Sequence, residues 1–402
     1  MEIKLRDVEL ASERLRPILH HTRLDLSSTF SSMTGGEVYL KLENLQKTGS
    51  FKIRGASNKI AVMAERGERR PVVASSAGNH AQGVAHAAAQ FGIPATIVMP
   101  KTAPIAKVQA TKGYGARVVL AGDCYDDAYR RACEICEEEG AVFLHPYNDP
   151  EVIAGQGTLA LEILAELPET DVIIVPAGGG GLLAGTALAA KSVKPQVKVY
   201  GVQAAGADAI AQSFRETRLV TTDTASTIAD GIAVKAPGDL TVDIINRYAD
   251  GILTVSDSEI ADAMLLLMER CKQIVEPAGA TPLAAILNDK LDVKGRRVVC
   301  VMSGGNIDVS FIQSIIERGL VARHRRLKVA VTLLDRPGSL AKVLQLIAEA
   351  GANILCVEHD KLGAALNPNE ANVHITCEVG GREHGDAVVK KLHDNGFRVE
   401  RE

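Results

Sequence analysis

Four consecutive glycines, Gly178 to Gly181 in PAGGGGLLAG, separate a Val/Ile-rich run from a segment with helical spacing. Such a loop leaves backbone N–H groups unhindered, and a helix N-terminus behind it adds a positive dipole end, so it suits an anion such as a phosphate. Gly179-x-Gly181-x-x-Ala184 also meets the relaxed dinucleotide fingerprint, but Gln203 stands at the end of the next run, VKVYGVQ, where a ribose-binding acid belongs. A nicotinamide is therefore disfavoured; another phosphate ligand and a turn needed only for close packing both remain. Lys52 is the second chemical candidate. It follows a Thr48-Gly49-Ser50 turn and precedes a helix-like segment, IRGASNKIAVMAERG. A helix start disfavours its positive charge and partial burial lowers its pKa further, which would make the amine a nucleophile toward an aldehyde. By itself it is one of 45 basic residues. Cys133 and Cys136 form a C-x-x-C, but they sit in helix-like DDAYRRACEICEEEG with no second Cys or His pair nearby. That spacing suits two half-buried helix cysteines, and no metal is expected.

The elements that must carry these groups show in the hydrophobic pattern. RPVVASS, ATIVMP, ARVVLAG, DVIIVPAGGGG, VKVYGVQ and RRVVCVMSGG are short Val/Ile runs ending in small residues and alternating with helix-like segments. Runs without polar alternation suit strands buried on both faces, and their alternation with helices predicts βαβ units in parallel sheets. Ligands on such sheets bind beyond the carboxyl ends of the strands, so SSAGNH, PAGGGG and MSGGN are expected to face one crevice. After the basic stretch Arg323-His324-Arg325-Arg326 the texture changes to a βαββαβ order of about 75 residues. That predicts a separate ferredoxin-like sandwich, with a long loop over 359–370.

Composition narrows the partners. The 402 residues carry a net charge of only -4, with 46% apolar residues, and no basic stripe or membrane-length apolar run interrupts the pattern. Neither nucleic acid nor membrane is expected as a partner; a small molecule is. The first residues, MEIKLRDVELASERLRPILHHT, lack the apolar core of a secretory signal, and seven scattered cysteines do not form a disulfide framework. Both predict a cytoplasmic protein.

KLENLQKTGSFKIRGA, SSAGNHAQGVA, PAGGGGLLAG, ADGIAV, EPAGA and MSGGN, in this order and spacing, resemble the threonine dehydratase (threonine ammonia-lyase) family over about residues 5 to 320. The resemblance implies an α/β chain with a two-domain pyridoxal phosphate (PLP) type II region, tryptophan synthase β-like, of open parallel sheets. The C-terminal part resembles an ACT domain. The expected domains are 1–320 for catalysis, with a large subdomain over about 1–47 and 147–320 and a small one over about 48–146. A linker is expected over 321–326 and the ACT domain over 327–402.

The resemblance also implies residue roles. Lys52 would carry PLP as a Schiff base and act as catalytic base; Phe51 would lie against the ring. Asn79 would bond the ring hydroxyl, Gly178, Gly179, Gly180, Gly181 and Leu182 would hold the phosphate, and Ser303 would face the ring nitrogen. Ser76 and Asn79 would bind the substrate carboxylate. His80 is open between a site role and packing, and Glu276 between positioning the ring and a structural role. The implied reaction is α,β-elimination: threonine to 2-oxobutanoate and ammonia, and serine to pyruvate. Related serine racemases carry a serine where this chain has Ala77, and an acid pair for a divalent metal where it has Gln203 and Asp208. Both departures favour a dehydratase without a metal over a racemase. β-Replacement, or a non-catalytic amino-acid sensor, are the other readings.

In the ACT-like part, Asp335-Arg336-Pro337-Gly338-Ser339-Leu340 is the expected turn between first strand and first helix. Asp335 and Gly338 are the candidate effector contacts, since glycine lets a ligand approach the backbone. An amino acid or a nucleotide such as AMP is the candidate effector, and a dimerisation module without a ligand is the other reading. A single such domain resembles the shorter catabolic group, for which isoleucine feedback is doubtful. A homo-oligomer, dimer or tetramer, is expected from the same resemblance.

Overall fold

The computed structural model describes residues 2–361 and 367–402. The chain divides into two compact units, Met1–Ile307 and Asp308–Glu402.

The first unit contains two sheets. The larger has the strand order β1-β2-β10-β7-β8-β9 and the smaller β5-β4-β3-β6. Their strands are β1 Leu24–Leu26, β2 Glu37–Lys41, β3 Val72–Ser75, β4 Ala95–Met99, β5 Arg117–Leu120, β6 Val142–Phe143, β7 Val172–Pro176, β8 Lys198–Ala204, β9 Gly251–Val255 and β10 Arg297–Val301. All six Val/Ile runs form strands. Every pair is parallel except β1 with β2, which are antiparallel at one edge. β3 and β7 are buried along their whole length, which explains why they show no polar alternation. The short strands β1, β6 and β9 were not evident as runs; they lie at the sheet edges, where less burial demands a weaker apolar signal.

Helix packing fixes the strand-end loops. Helix Lys52–Glu65 crosses helix Pro150–Glu166 where a Cβ on Gly155 would come within 2.7 Å of the Arg54 carbonyl oxygen. Helix Pro150–Glu166 in turn meets helix Gly181–Val193 where a Cβ on Gly185 would come within 2.3 Å of the Ile153 carbonyl oxygen. Only glycine permits such backbone approach. One helix thus clamps both the helix that begins with Lys52 and the helix that begins at the glycine loop.

The second unit begins with helix Val309–Ala322. It continues as β11 Arg326–Leu334, helix Ser339–Glu349, β12 Asn353–Asp360, β13 Glu370–Glu378, helix Arg382–Asp394 and β14 Arg398–Arg401. The βαββαβ order forms an antiparallel sheet, β12-β13-β11-β14. Alternate residues of β11 and β13, among them Val329, Val331, Val373 and Ile375, pack on Val343, Ile347, Val388 and Leu392 of the helices. Two boundaries differ from expectation. Helix Val309–Ala322 groups with this unit rather than with the preceding residues, and only residues 323–325 separate it from β11 instead of a linker over 321–326. The helix is stopped by His324 at φ 55° and Arg326 already pairs with Glu378 in the sheet, so no slack remains. The loop expected from residue 359 starts later, because His359 and Asp360 pair with Val373 and Asn372; residues 362–366 lie outside the described residues.

Candidate active site

β10 lies beside β7 in parallel register, so Met302-Ser303-Gly304 and the glycine loop leave the same edge of the larger sheet. This is the edge on which α/β proteins bind ligands. Lys52 is tied to it through the backbone: Ser50 bridges Gly304, and the Phe51 N–H donates to the Ser303 carbonyl at 3.0 Å. The Lys52 side chain is partly buried, with Nζ donating to the Pro146 carbonyl at 3.0 Å and 5.2 Å from the Phe51 ring centre. Burial pushes its pKa down to about 8, against the opposing charge of Glu276.

Asn79 opens helix Asn79–Gln90. Its Nδ2 donates to both Glu276 oxygens at 2.7 and 3.0 Å, and its Oδ1 accepts from Asn306 Nδ2 at 2.8 Å. Asn306 Nδ2 also donates to the Thr48 carbonyl at 2.7 Å, which ties SSAGNH, MSGGN and the turn before Lys52 together. Glu276 is only 5% exposed, and burial raises its carboxyl to about 7 despite the Asn79 bond. Ser303 is buried at the exit of β10. Ser76 is half-buried after β3 and its Oγ accepts from the Gly78 N–H at 3.1 Å. His80 is buried, donates from Nε2 to the Leu144 carbonyl at 2.8 Å and is pushed down to about 3, first by burial and then by Lys52. It therefore stands as a neutral packing residue that anchors the neighbouring chain.

Among the described residues, the N–H groups of Gly178 through Leu183 donate to no backbone or side-chain acceptor. Gly180 lies at φ 94°, and a Cβ on Gly179 would sit 2.4 Å from Tyr147 ring carbons. Thr241 Oγ1 donates to the Gly179 carbonyl at 2.7 Å and so turns that oxygen away from the loop's donors. A shaped nest of free N–H groups at a helix N-terminus fits a phosphate.

Sequence reading missed several neighbours of these groups. Tyr147 walls the glycine loop and donates from its hydroxyl to the Ala236 carbonyl at 2.8 Å. His145 accepts on Nδ1 from the Tyr147 and Asn148 N–H groups at 3.2 and 2.8 Å, and is pushed down to about 4 by burial and by Lys52. Beneath Lys52 lies a buried ion cluster. Arg54 meets Glu43 at 2.7 Å and Glu162 at 2.6 Å, and Lys41 meets Glu162 at 2.9 Å. The one signal for it was charge in otherwise apolar context, in KLENL and FKIRGA.

Residues 15–304 match the family described as pyridoxal-phosphate dependent enzyme. This chain belongs to that family. Residues 329–397 match the ACT domain. Over 397 residues, 99% of each chain, the pyridoxal-phosphate dependent chain is 49% identical to an L-threonine ammonia-lyase of Thermotoga maritima. It is 46% identical over 317 residues to a catabolic L-threonine dehydratase of Escherichia coli, covering 78% of this chain and 96% of the relative. Among solved structures, a T.th. threonine deaminase superposes with TM-score 0.72 at 40% identity, covering 76% of this chain and 99% of that one. Maize serine racemase superposes with TM-score 0.75 at 37% identity, covering 81% and 100%. The cofactor of the family fits the residues present: a lysine amine with lowered pKa, and a phosphate nest joined to it through Pro146 and Tyr147.

Proposed function

We propose that this chain catalyses the PLP-dependent α,β-elimination of L-threonine to 2-oxobutanoate and ammonia, with L-serine giving pyruvate as a second reaction. One observation carries the reading: the backbone bonds of Ser50 to Gly304 and of Phe51 N–H to the Ser303 carbonyl fix Lys52 at the strand-end edge that also carries the glycine nest, with Nζ 3.0 Å from the Pro146 carbonyl and its pKa pushed down to about 8 by burial. Gly178, Gly179, Gly180, Gly181 and Leu182 would hold the phosphate, Asn79 the ring hydroxyl, and Phe51 a face of the ring. When bound, the cofactor supplies an electron sink for the pair left at the substrate α-carbon. Ser303, a neutral hydroxyl at the ring nitrogen, would keep that sink shallow and favour prompt loss of a β-leaving group. Ser76 and Asn79 would orient the substrate carboxylate, and Lys52 Nζ would take the α-proton. The β-hydroxyl would then leave as water on the proton that Lys52 had taken up, and a second water would hydrolyse the released enamine to the 2-oxo acid and ammonia. Ala77 offers no acid or base on the other face; it packs against an apolar cluster instead.

The test is direct. Purified protein loaded with PLP should convert L-threonine to 2-oxobutanoate. The likeness to maize serine racemase favours a second reading, racemisation of serine; chiral analysis should find D-serine far slower to form than pyruvate, and comparable rates would reverse the assignment.

Two further outcomes are expected. In cofactor-stripped protein, Lys52 should react with an amine-directed reagent half-maximally near pH 8, followed by peptide mass spectrometry. Burial disfavours the ammonium form, so the reactive neutral amine grows as pH rises through that value, well below the ordinary lysine pKa of about 10.4. Gly179→Ala should weaken PLP binding in equilibrium dialysis by about 10- to 100-fold, the worth of one charge-assisted hydrogen bond, because the new Cβ displaces the loop from Tyr147.

We further place the reaction in the cytoplasm, in keeping with seven free cysteines. Among the described residues no helix is long and apolar enough to cross a membrane. A homodimer or tetramer is proposed, to be measured by sedimentation. For the ACT domain an amino-acid or nucleotide effector is proposed at Asp335 and Gly338. Gly338 lies at φ 90° with open space where a Cβ would point, while Asp335 pairs with Lys361 at 2.7 Å. Kinetics with each branched-chain amino acid and AMP added in turn would identify it.

A further inference from the structure

The chain leaves the smaller sheet after β6 through Leu144–Asn148, and this short strap is bonded to both sides of the site. Leu144 N–H makes the last rung, to the Val73 carbonyl at 2.8 Å, and its own carbonyl accepts from His80. Pro146 has no N–H to continue the ladder, and among the described residues its carbonyl accepts from no backbone N–H. That carbonyl is the acceptor for Lys52 Nζ at 3.0 Å. Beyond it, Asn148 Nδ2 donates to Asp239 at 2.7 Å and the Tyr147 hydroxyl to Ala236.

His145 holds the bend between these anchors. Its Nδ1 accepts from the N–H groups two and three residues ahead, as a short Asx side chain does. Four residues on, Asp149 Oδ1 does the same with Glu151 and Val152, at 2.9 and 3.1 Å. The imidazole is thus used as a neutral acceptor, with its proton on Nε2.

We propose that this strap positions the Lys52 amine: the Pro146 carbonyl is the rest on which Nζ is held whenever the amine is not covalently engaged, and His145 is a positioning residue for the proton transfer. The inference rests on Lys52 being the base of the proposed elimination. A lysine stem is flexible and its ammonium has three rotatable donors, so a free amine without a fixed acceptor would sample many positions. A carbonyl held at both ends by other bonds gives it one, at the edge where the glycine loop and Ser303 meet.

The experiment uses the full chain in three variants, Lys52→Ala, His145→Ala and His145→Asn, with a melting curve for each. Asn offers an amide oxygen to the same two N–H groups; Ala offers nothing. His145→Ala should lower kcat for L-threonine by about 30-fold with KM within about threefold, the scale of a misplaced reacting group. In the cofactor-stripped chain it should also raise the rate at which Lys52 is acylated by an amine-directed reagent. His145→Asn should restore both readouts to within about threefold of the starting protein, the distance expected when only the acceptor matters. Equal kcat in the two His145 variants, whether high or low, overturns the proposal. Should His145→Ala fail to fold, His145→Leu keeps the bulk without the acceptor and takes its place in the comparison. If Lys52→Ala still makes 2-oxobutanoate, the underlying reading of Lys52 fails; if Lys52→Ala is inactive and the His145 pair is indistinguishable, the strap alone is wrong.

Discussion

Lys52→Ala is expected to lower 2-oxobutanoate formation by at least about 10³-fold, since it removes a positioned proton carrier and a nucleophile together. The geometry offers no substitute. His80 donates its Nε2 proton to Leu144, and His145 spends Nδ1 on two backbone N–H groups. Both are held neutral far below physiological pH, so they are feeble bases. Glu276, although burial raises its carboxyl to about 7, has both oxygens engaged by Asn79 Nδ2, and Ala77 carries no polar atom in its side chain. Borohydride reduction of PLP-loaded protein followed by peptide mapping should tag Lys52 and leave the Ala variant untagged. Full activity in that variant would sink the mechanism.

Arg54→Met should cost about 3–5 kcal/mol of stability, the range for removing one partner of a buried ion cluster. Arg54 and Glu43 are wholly buried, and Lys41 is fully buried as well. Arg54 donates from Nε and Nη2 to Glu43 at 2.7 and 2.8 Å, and from Nη1 and Nη2 to Glu162 at 2.6 and 2.9 Å. Its charge balances two carboxylates that Lys41 alone cannot neutralise. Removing it strands Glu43, whose other bond is from the Thr22 hydroxyl. The orphaned charge, rather than lost packing, dominates the cost, so Arg54→Met combined with Glu43→Gln should recover part of it. Urea unfolding followed by circular dichroism measures both; equal losses in the single and double variants would show that packing dominates instead. The same cluster joins β2 and the helices Lys52–Glu65 and Pro150–Glu166, so it holds the first turn of the Lys52 helix from the side opposite the amine.

The parallel architecture was legible because a strand covered on both faces must be apolar throughout, and RPVVASS, DVIIVPAGGGG and RRVVCVMSGG state that locally. The phosphate nest was legible for a similar reason: four glycines before a helix expose donors whatever the rest of the fold does. The assignment of Val309–Ala322 was not, because a helix pattern names a buried face and not the unit that buries it.

The sequence by itself determined the inner strands, the glycine nest, the lysine at a helix start and, through the joint motif set, the family. Tertiary structure alone decided what touches those groups. Lys52 meets Pro146 across 94 residues, Arg54 meets Glu162 across 108, and Asn79 meets Glu276 across 197. Hydrophobic period and turn chemistry are local, so they specify an element and its apolar face. A hydrogen bond between residues so far apart in the chain depends on how distant elements pack; for Arg54 and Glu162 that is where two helices cross, and Gly155, without a Cβ, sets that crossing distance. The lowered pKa of Lys52 belongs to the same class: its residue type could suggest a base, and only the burial created by packed neighbours makes the amine one near neutral pH.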